Sequence, residues 1–274
     1  MLSYITWTVH PALFSIFGRE IRWYSLMFAF GFWIGYKIVE RMFKKDGVPE
    51  NWLDSLFLYV FAGTVIGARL GHCLFYDPGY YLAHPIDILK VWEGGLASHG
   101  GAIGIIIAVL IYSRRVTHRN PLWTFDRLVV PVALVGAMIR IGNLMNHEIY
   151  GFPTDLPWGF RFITNLPQWE AGAAPIFSVP SHPTQIYESL FYLFTFIVLM
   201  YMYWVKKAYL KQGLIFGTFL LGIFGSRIFM EMLKNNQEAF EDAMTLNMGQ
   251  LLSIPFVILG VYLVVRALRH HSGK

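Results

Sequence analysis

Apolar residues fall in seven long runs separated by short polar segments, at about residues 22–41, 54–76, 98–113, 123–141, 184–204, 213–232 and 249–267. A helix needs roughly 20 consecutive apolar residues to cross a bilayer. Six of the runs come close to that length, while the third is shorter and rich in glycine. No linker, low-complexity tract or internal repeat interrupts the series. The pattern predicts an all-α integral membrane protein with seven transmembrane helices in one domain over 1–274. The polar stretch 142–183, between the fourth and fifth runs, is expected to form a loop or head outside the membrane. No small-residue cleavage site follows the first run, so it is expected to remain as a helix rather than leave as a signal peptide.

Loop charges orient these helices. Arg41, Lys44 and Lys45 follow the first run, Arg114, Arg115 and Arg119 the third, Lys206, Lys207 and Lys211 the fifth, and Arg266, Arg269 and Lys274 the seventh. The alternate loops carry only Lys90, Arg161 and Lys234, with Arg19 and Arg22 ahead of the first run. Cytoplasmic loops hold the excess of Lys and Arg, which places the N-terminus in the periplasm and the C-terminus in the cytoplasm. Composition agrees: 55% of the 274 residues are hydrophobic, too many for an ordinary soluble domain. The net charge of +5 is dispersed among loops, which argues against a nucleic-acid partner. A single cysteine, Cys73, excludes an internal disulfide and any CxxC site, and reads as a packing residue. Small residues at four-residue spacing, Gly31/Gly35, Gly63/Gly67/Gly71 and Gly213/Gly217, predict close helix approach.

Polar residues then stand out by depth. The segment Arg140-Ile-Gly-Asn143-Leu-Met-Asn146-His147-Glu148-Ile-Tyr150-Gly151 follows directly on an apolar helix. Ionisable groups at such depth are costly and mark a functional site. With the helices oriented, Tyr24, Arg69, His99, Arg140, Arg227 and Glu231 all lie toward the periplasmic side, level with Asn143, Asn146, Glu148, His182 and Gln185. Three arginines imply an anionic partner, because the guanidinium fork suits phosphate and carboxylate. Glu148 and Glu231 are available to neutralise two of them, so Arg69 reads equally well as an ion-paired packing residue. A second unusual segment is Gly94-Gly95-Leu-Ala-Ser98-His99-Gly100-Gly101, whose glycines allow backbone to bend or approach a ligand. His99 has a pKa suited to proton transfer, and serves equally well as a hydrogen-bonding group at a helix start. His99, His147 and His182 lack metal-ligand spacing, so no metal and no cofactor is expected. Ser98 has no neighbouring carboxylate to orient a base and does not read as a nucleophile.

Gly95-Leu-Ala-Ser98-His99-Gly100-Gly101 and the 140–151 segment resemble the two signature blocks of bacterial prolipoprotein diacylglyceryl transferases. Further matches are His10-Pro11, Arg22-Trp23-Tyr24, Gly67-Ala-Arg69, His182-Pro183-Thr-Gln185-Ile-Tyr187-Glu188, Ser226-Arg227 with Glu231, and Met248-Gly249-Gln250. They run in order over nearly the whole chain. The resemblance implies a seven-helix enzyme of the bacterial inner membrane with its active site toward the periplasm. Its substrates would be phosphatidylglycerol and a prolipoprotein signal peptide carrying a lipobox cysteine. The diacylglyceryl group would pass to the cysteine sulfur as a thioether, with release of glycerol phosphate.

On this reading His99, Arg140, Arg227 and Tyr24 are the expected catalytic residues. Arg140, Asn143, Asn146, Glu148, Gly151, Arg69, Glu231, Gly100 and His182 are expected to bind substrate, with Glu148 orienting Arg140. Two places depart from the family pattern: Leu144 stands where Phe is common, and Ile223 where many members carry Tyr. A transporter for an anionic solute, or a non-catalytic lipid-binding protein, would also use buried arginines. The first would spread charge through both membrane halves, and the second would need no proton-transfer residue.

Overall fold

The computed structural model describes residues 4–17, 19–75, 77–91, 95, 97–234 and 246–269. The seven predicted runs appear as α1 (Trp23–Asp46), α2 (Asn51–Phe75), α4 (Ser98–Tyr112), α5 (Pro121–Met145), α7 (Thr184–Trp204), α8 (Leu214–Glu231) and α9 (Met248–Arg269). Two short helices, α3 (Pro78–Ala83) and α6 (Leu166–Glu170), lie in connections. The all-α expectation omits four short strands: β1 (Ile5–Thr6), β2 (Ala12–Ile16), β3 (Arg19–Arg22) and β4 (Phe160–Arg161). Such strands are too short to show a period of two.

Six helices among the described residues are long and apolar enough to cross a membrane: α2, α5, α7, α8, α9 and the stretch Gly100–Thr117, in which a π-helical turn continues α4. Helix α1 has the length, at 24 residues, but Trp23, Tyr24, Lys37 and Glu40 dilute its apolar run. Many large apolar side chains on these helices, such as Leu58, Ile66, Phe194, Ile197 and Ile258, remain exposed. Exposure on this scale is expected of surfaces that face lipid.

The chain forms two compact units, residues 36–127 and residues 1–35 with 128–274. In the first, glycines bring α2 and α4 into backbone contact. A Cβ on Gly63 would lie 2.6 Å from the carbonyl oxygen of Gly104, and one on Gly67 would lie 2.8 Å from Gly104 Cα. Gly100 packs into Gly67 and Gly71 in the same way. This is the small-residue packing that replaces a hydrophobic driving force within lipid. Gly67→Leu is therefore expected to cost about 1–3 kcal/mol or more through overpacking. A thermal midpoint in detergent equal to that of the unaltered protein would refute this. The far end of the unit is an aromatic cluster of Val39, Phe43, Leu53, Leu56, Tyr112 and Trp123, where the Tyr112 hydroxyl donates to Trp52 O at 2.9 Å.

In the second unit, Gly31 and Gly35 of α1 receive Val135 and Pro131 of α5, and Gly142 receives the Tyr24 ring. Helices α8 and α9 meet at Gly217 and Gly260, and α7 meets α8 at Thr195 and Gly222. Gly213, expected to share this role, instead caps the start of α8 with φ +89°, a conformation open to glycine.

The 142–183 stretch folds onto the N-terminal segment. β1 pairs in parallel with β4, Ile5 opposite Phe160, and the Trp7 indole donates to Leu144 O at 3.0 Å. Leu144, Phe160 and Phe162 form a core with Trp7, Tyr150 and Ile186 against it. His147 is buried here: Ile163 N donates to its Nδ1 at 3.1 Å, and its Nε2 lies 2.9 Å from Val9 O. These partners require a neutral ring protonated at Nε2. Burial lowers the pKa of His147, against the opposing pull of the Val9 carbonyl.

A lowered pKa means that the unfolded chain binds the proton more readily. Stability from His147 is then complete above about pH 6.5 and declines as pH falls below it through the folded value. The thermal midpoint in detergent is expected to fall from pH 7 to pH 5, and less steeply in His147→Gln. Equal slopes in the two proteins would refute this.

Candidate active site

The polar segment after the fourth run continues the helix. Because α5 extends to Met145, Arg140 and Asn143 sit one turn apart, and Arg140 Nη1 reaches Asn143 Oδ1 at 3.4 Å. The chain then turns through His147 and Ile149, both with left-handed backbone at φ +56° and +60°. This conformation is unusual for residues other than glycine, and most of all for a β-branched one. The turn folds Glu148 back, so that Asn143 Nδ2 and Asn146 Nδ2 donate to its Oε1 at 2.9 and 3.2 Å.

Helix α7 holds the turn from the other side. Thr184 Oγ1 donates to Ile149 O at 2.8 Å, and Gln185 Nε2 to Glu148 O at 2.6 Å. Gly151 closes the segment. Its N–H donates to His182 O at 2.9 Å, and it forms an antiparallel bridge with Lys234 just past α8. A Cβ on Gly151 would run into Leu233 O, Thr184 Cγ2 and His182 Cβ.

A buried network of charge lies beside this turn. The Arg140 Nε sits 3.1 Å from Glu188 Oε2, on α7. Glu188 is fully buried and also holds Lys234 Nζ at 2.8 Å. Arg227 pairs one helical turn along α8 with Glu231, at 3.3 Å. Gly249 leaves room for the Glu231 carboxylate, and Asn247 Nδ2 donates to it. Three cations thus meet two carboxylates, and Glu148, joined to Arg140 through Asn143, is a third, so the formal charges of the site balance.

The structure thus brings together Arg140, Asn143, Asn146, Glu148, Gly151, Arg227 and Glu231, all within one unit. Tyr24 joins them by packing on Gly142. Glu148 does not orient Arg140 directly, because Glu188 takes that place. His182 holds the turn through its carbonyl, and its ring faces the Tyr187 hydroxyl at 3.4 Å.

The other expected residues belong to the 36–127 unit. Arg69 is buried and donates to the carbonyls of Ile88 and Gly95 at 2.9 and 3.3 Å, and to that of Asp87, while stacking on Tyr81. It ties the chain leading to α4 onto α2, assisted by Ala97 N donating to Ala68 O. Gly100 is taken up by helix packing. His99 falls in the first turn of α4, and its side chain lies outside what the structure describes, as do Trp92, Glu93, Gly94 and Leu96.

Sequence reasoning missed Glu188 and Lys234 as site residues. Glu188 had a signal, since it is a carboxylate inside an apolar helix. Lys234 had a weaker one, three residues after Glu231.

Two ion-paired arginines, a folded-back carboxylate and hydrogen-bonded amides at the ends of apolar helices define a membrane protein with a polar site. A family profile described as prolipoprotein diacylglyceryl transferase matches residues 11–266, and the chain belongs to that family of enzymes. The chain is 52% identical over 274 residues to phosphatidylglycerol–prolipoprotein diacylglyceryl transferase from Porphyromonas gingivalis, covering 98% of this chain and 96% of the relative. It is 44% identical to the protein of that name from Chloroherpeton thalassium, covering 97% and 96%, and 42% identical to that from Bacteroides fragilis, covering 96% and 95%.

Proposed function

We propose that the protein transfers the diacylglyceryl group of phosphatidylglycerol to the lipobox cysteine of a prolipoprotein signal peptide. The substrate sulfur attacks the glyceryl carbon bonded to phosphate, the carbon–oxygen bond breaks, and glycerol phosphate leaves with the electron pair. The two guanidinium groups of the network, Arg140 and Arg227, carry this reading, because negative charge builds on the departing phosphate as that bond breaks. Preorganised donors in a water-poor site stabilise such charge most effectively.

In this scheme Arg140 and Arg227 grip the phosphodiester and Tyr24 donates a further hydrogen bond. Asn143, Asn146 and Glu148 form the polar wall that receives the glycerol head group. His99 takes the thiol proton, since a free thiol with pKa about 8.5 is mostly protonated near neutrality. Arg69 and Gly100 support His99 by fixing the start of α4, and Gly151 and His182 hold the turn that carries Glu148. The nucleophile belongs to the substrate, so buried Cys73 has no part.

The protein is placed in the bacterial inner membrane. Helix α1 serves as a seventh span, its Trp23 and Tyr24 at the interface, where such rings are enriched. The loop charges support a topology with the N-terminus, the folded 142–183 stretch and the active site on the periplasmic side and the C-terminus in the cytoplasm.

The test is to incubate purified protein with phosphatidylglycerol and a lipobox peptide, then weigh the peptide. A diacylglyceryl mass gain on cysteine is expected. Binding of both substrates without mass gain would support a lipid-binding or transport role instead.

A further inference from the structure

Lys234 has no part in the chemistry just described, yet it occupies the centre of the charge network. Its Nζ lies 2.8 Å from Glu188 Oε1 and 3.5 Å from Glu231 Oε1. Each carboxylate in turn holds the Nε of one arginine, Glu188 that of Arg140 and Glu231 that of Arg227. One ammonium therefore joins the two arginine–carboxylate pairs into a single chain of five groups. The Lys234 side chain is only 5% exposed, so this is no surface contact. Its backbone is fixed as well, by the bridge to Gly151 and by Phe152 N donating to Leu233 O at 2.8 Å.

Stability alone does not call for such a network. Buried ion pairs are often matched or bettered by apolar residues of similar volume. Their value lies in defining one geometry. Arg140 is held by Nε on Glu188, by Nη1 on Asn143 and by Tyr192, and of these only Glu188 also touches Lys234, so the direction of its fork depends on the position of that carboxylate. Without the ammonium, Glu188 and Glu231 would face each other across the space it fills. Each would keep its arginine, but the shared positive charge that draws both carboxylates to one point would be gone. The two carboxylates would move apart, and each arginine would move with its partner.

We propose that Lys234 is a positioning residue. By bridging Glu188 and Glu231 it sets the spacing and direction of the Arg140 and Arg227 guanidinium groups, without touching substrate. This rests on the transferase reading above.

The test measures steady-state kinetics on phosphatidylglycerol and a lipobox peptide. Lys234→Met is expected to lower kcat about 10²-fold, the cost of misplacing a catalytic group by about 1 Å, with KM for the lipid nearly unchanged. Lys234→Arg can still bridge both carboxylates and should recover most of the rate. In an Arg140→Lys background, Lys234→Met should cost clearly less than in the unaltered protein, about 10-fold, because the share acting through Arg140 is already lost and only that through Arg227 remains.

Folded Lys234→Met with kcat within about 3-fold of the unaltered protein would overturn the proposal, as would full additivity with Arg140→Lys. If Lys234→Met does not fold, the neutral double variant Lys234→Met/Glu188→Gln decides. It too should be slow, and near-normal turnover would overturn the proposal. Unaltered protein that binds both substrates but transfers nothing would remove the transferase reading itself, whereas an active protein indifferent to these changes removes only the role of Lys234.

Discussion

Arg140→Ala is expected to lose at least about 10³-fold in kcat/KM while remaining folded, the scale of removing a preorganised donor from developing charge. The guanidinium contributes in two ways. Its charge opposes the phosphate, and its shape reaches Glu188 and Asn143 at once. Arg140→Lys keeps the first property and loses the second, because an ammonium is a point charge without a planar fork. It is therefore expected to restore only part of the rate. Mass gain on the lipobox peptide reports both variants. Near-normal transfer by folded Arg140→Ala would end the assignment of Arg140 to the phosphodiester.

Gly151→Leu is expected to lower transfer and stability together. The added side chain would have to enter space held by Leu233 O, Thr184 Cγ2 and His182 Cβ. Overpacking of this kind costs about 1–3 kcal/mol. Catalysis should also fall about 10²-fold in the fraction that stays folded, because displacement travels to nearby groups. Three residues before Gly151 is Glu148, and across the bridge is Lys234. Activity per folded molecule, measured after size-exclusion chromatography in detergent, separates the two losses. A variant that is less stable but fully active per molecule would show that Gly151 serves folding alone.

The helices were legible because burial in lipid imposes a long apolar signature on each. All seven predicted starts of runs lie within about three residues of the observed ones, as fraying of helix ends allows. Ends were less well read where polar residues continue a helix. Helix α1 runs on to Asp46 with Glu40 paired to Lys37 and Lys44, and α5 runs through Arg140 and Asn143 to Met145. Both extensions lack the apolar signal used to draw the boundary.

In the site, the residues of the 140–151 segment were legible from their polarity at depth. Their partners were not. Glu188 lies 48 positions from Arg140 and Lys234 lies 46 from Glu188, and pairing over such spans leaves no local pattern. Glu148 was the natural sequence-based partner for Arg140. The left-handed backbone of His147 and Ile149 turns its carboxylate toward the two amides instead.

The joining of the chain's beginning to its middle bears on how the protein is made. Trp7 closes its hydrogen bond on Leu144, 137 residues later, and β1 has no partner strand until Phe160 and Arg161 exist. At translation rates of about 5–20 residues per second, that interval is roughly 7–27 s. Throughout it the nascent N-terminal segment must wait with its indole and strand edge uncovered, while four long helices are already being threaded into the bilayer. A ribosome that stalls between α4 and the head would leave that edge open to a neighbouring chain.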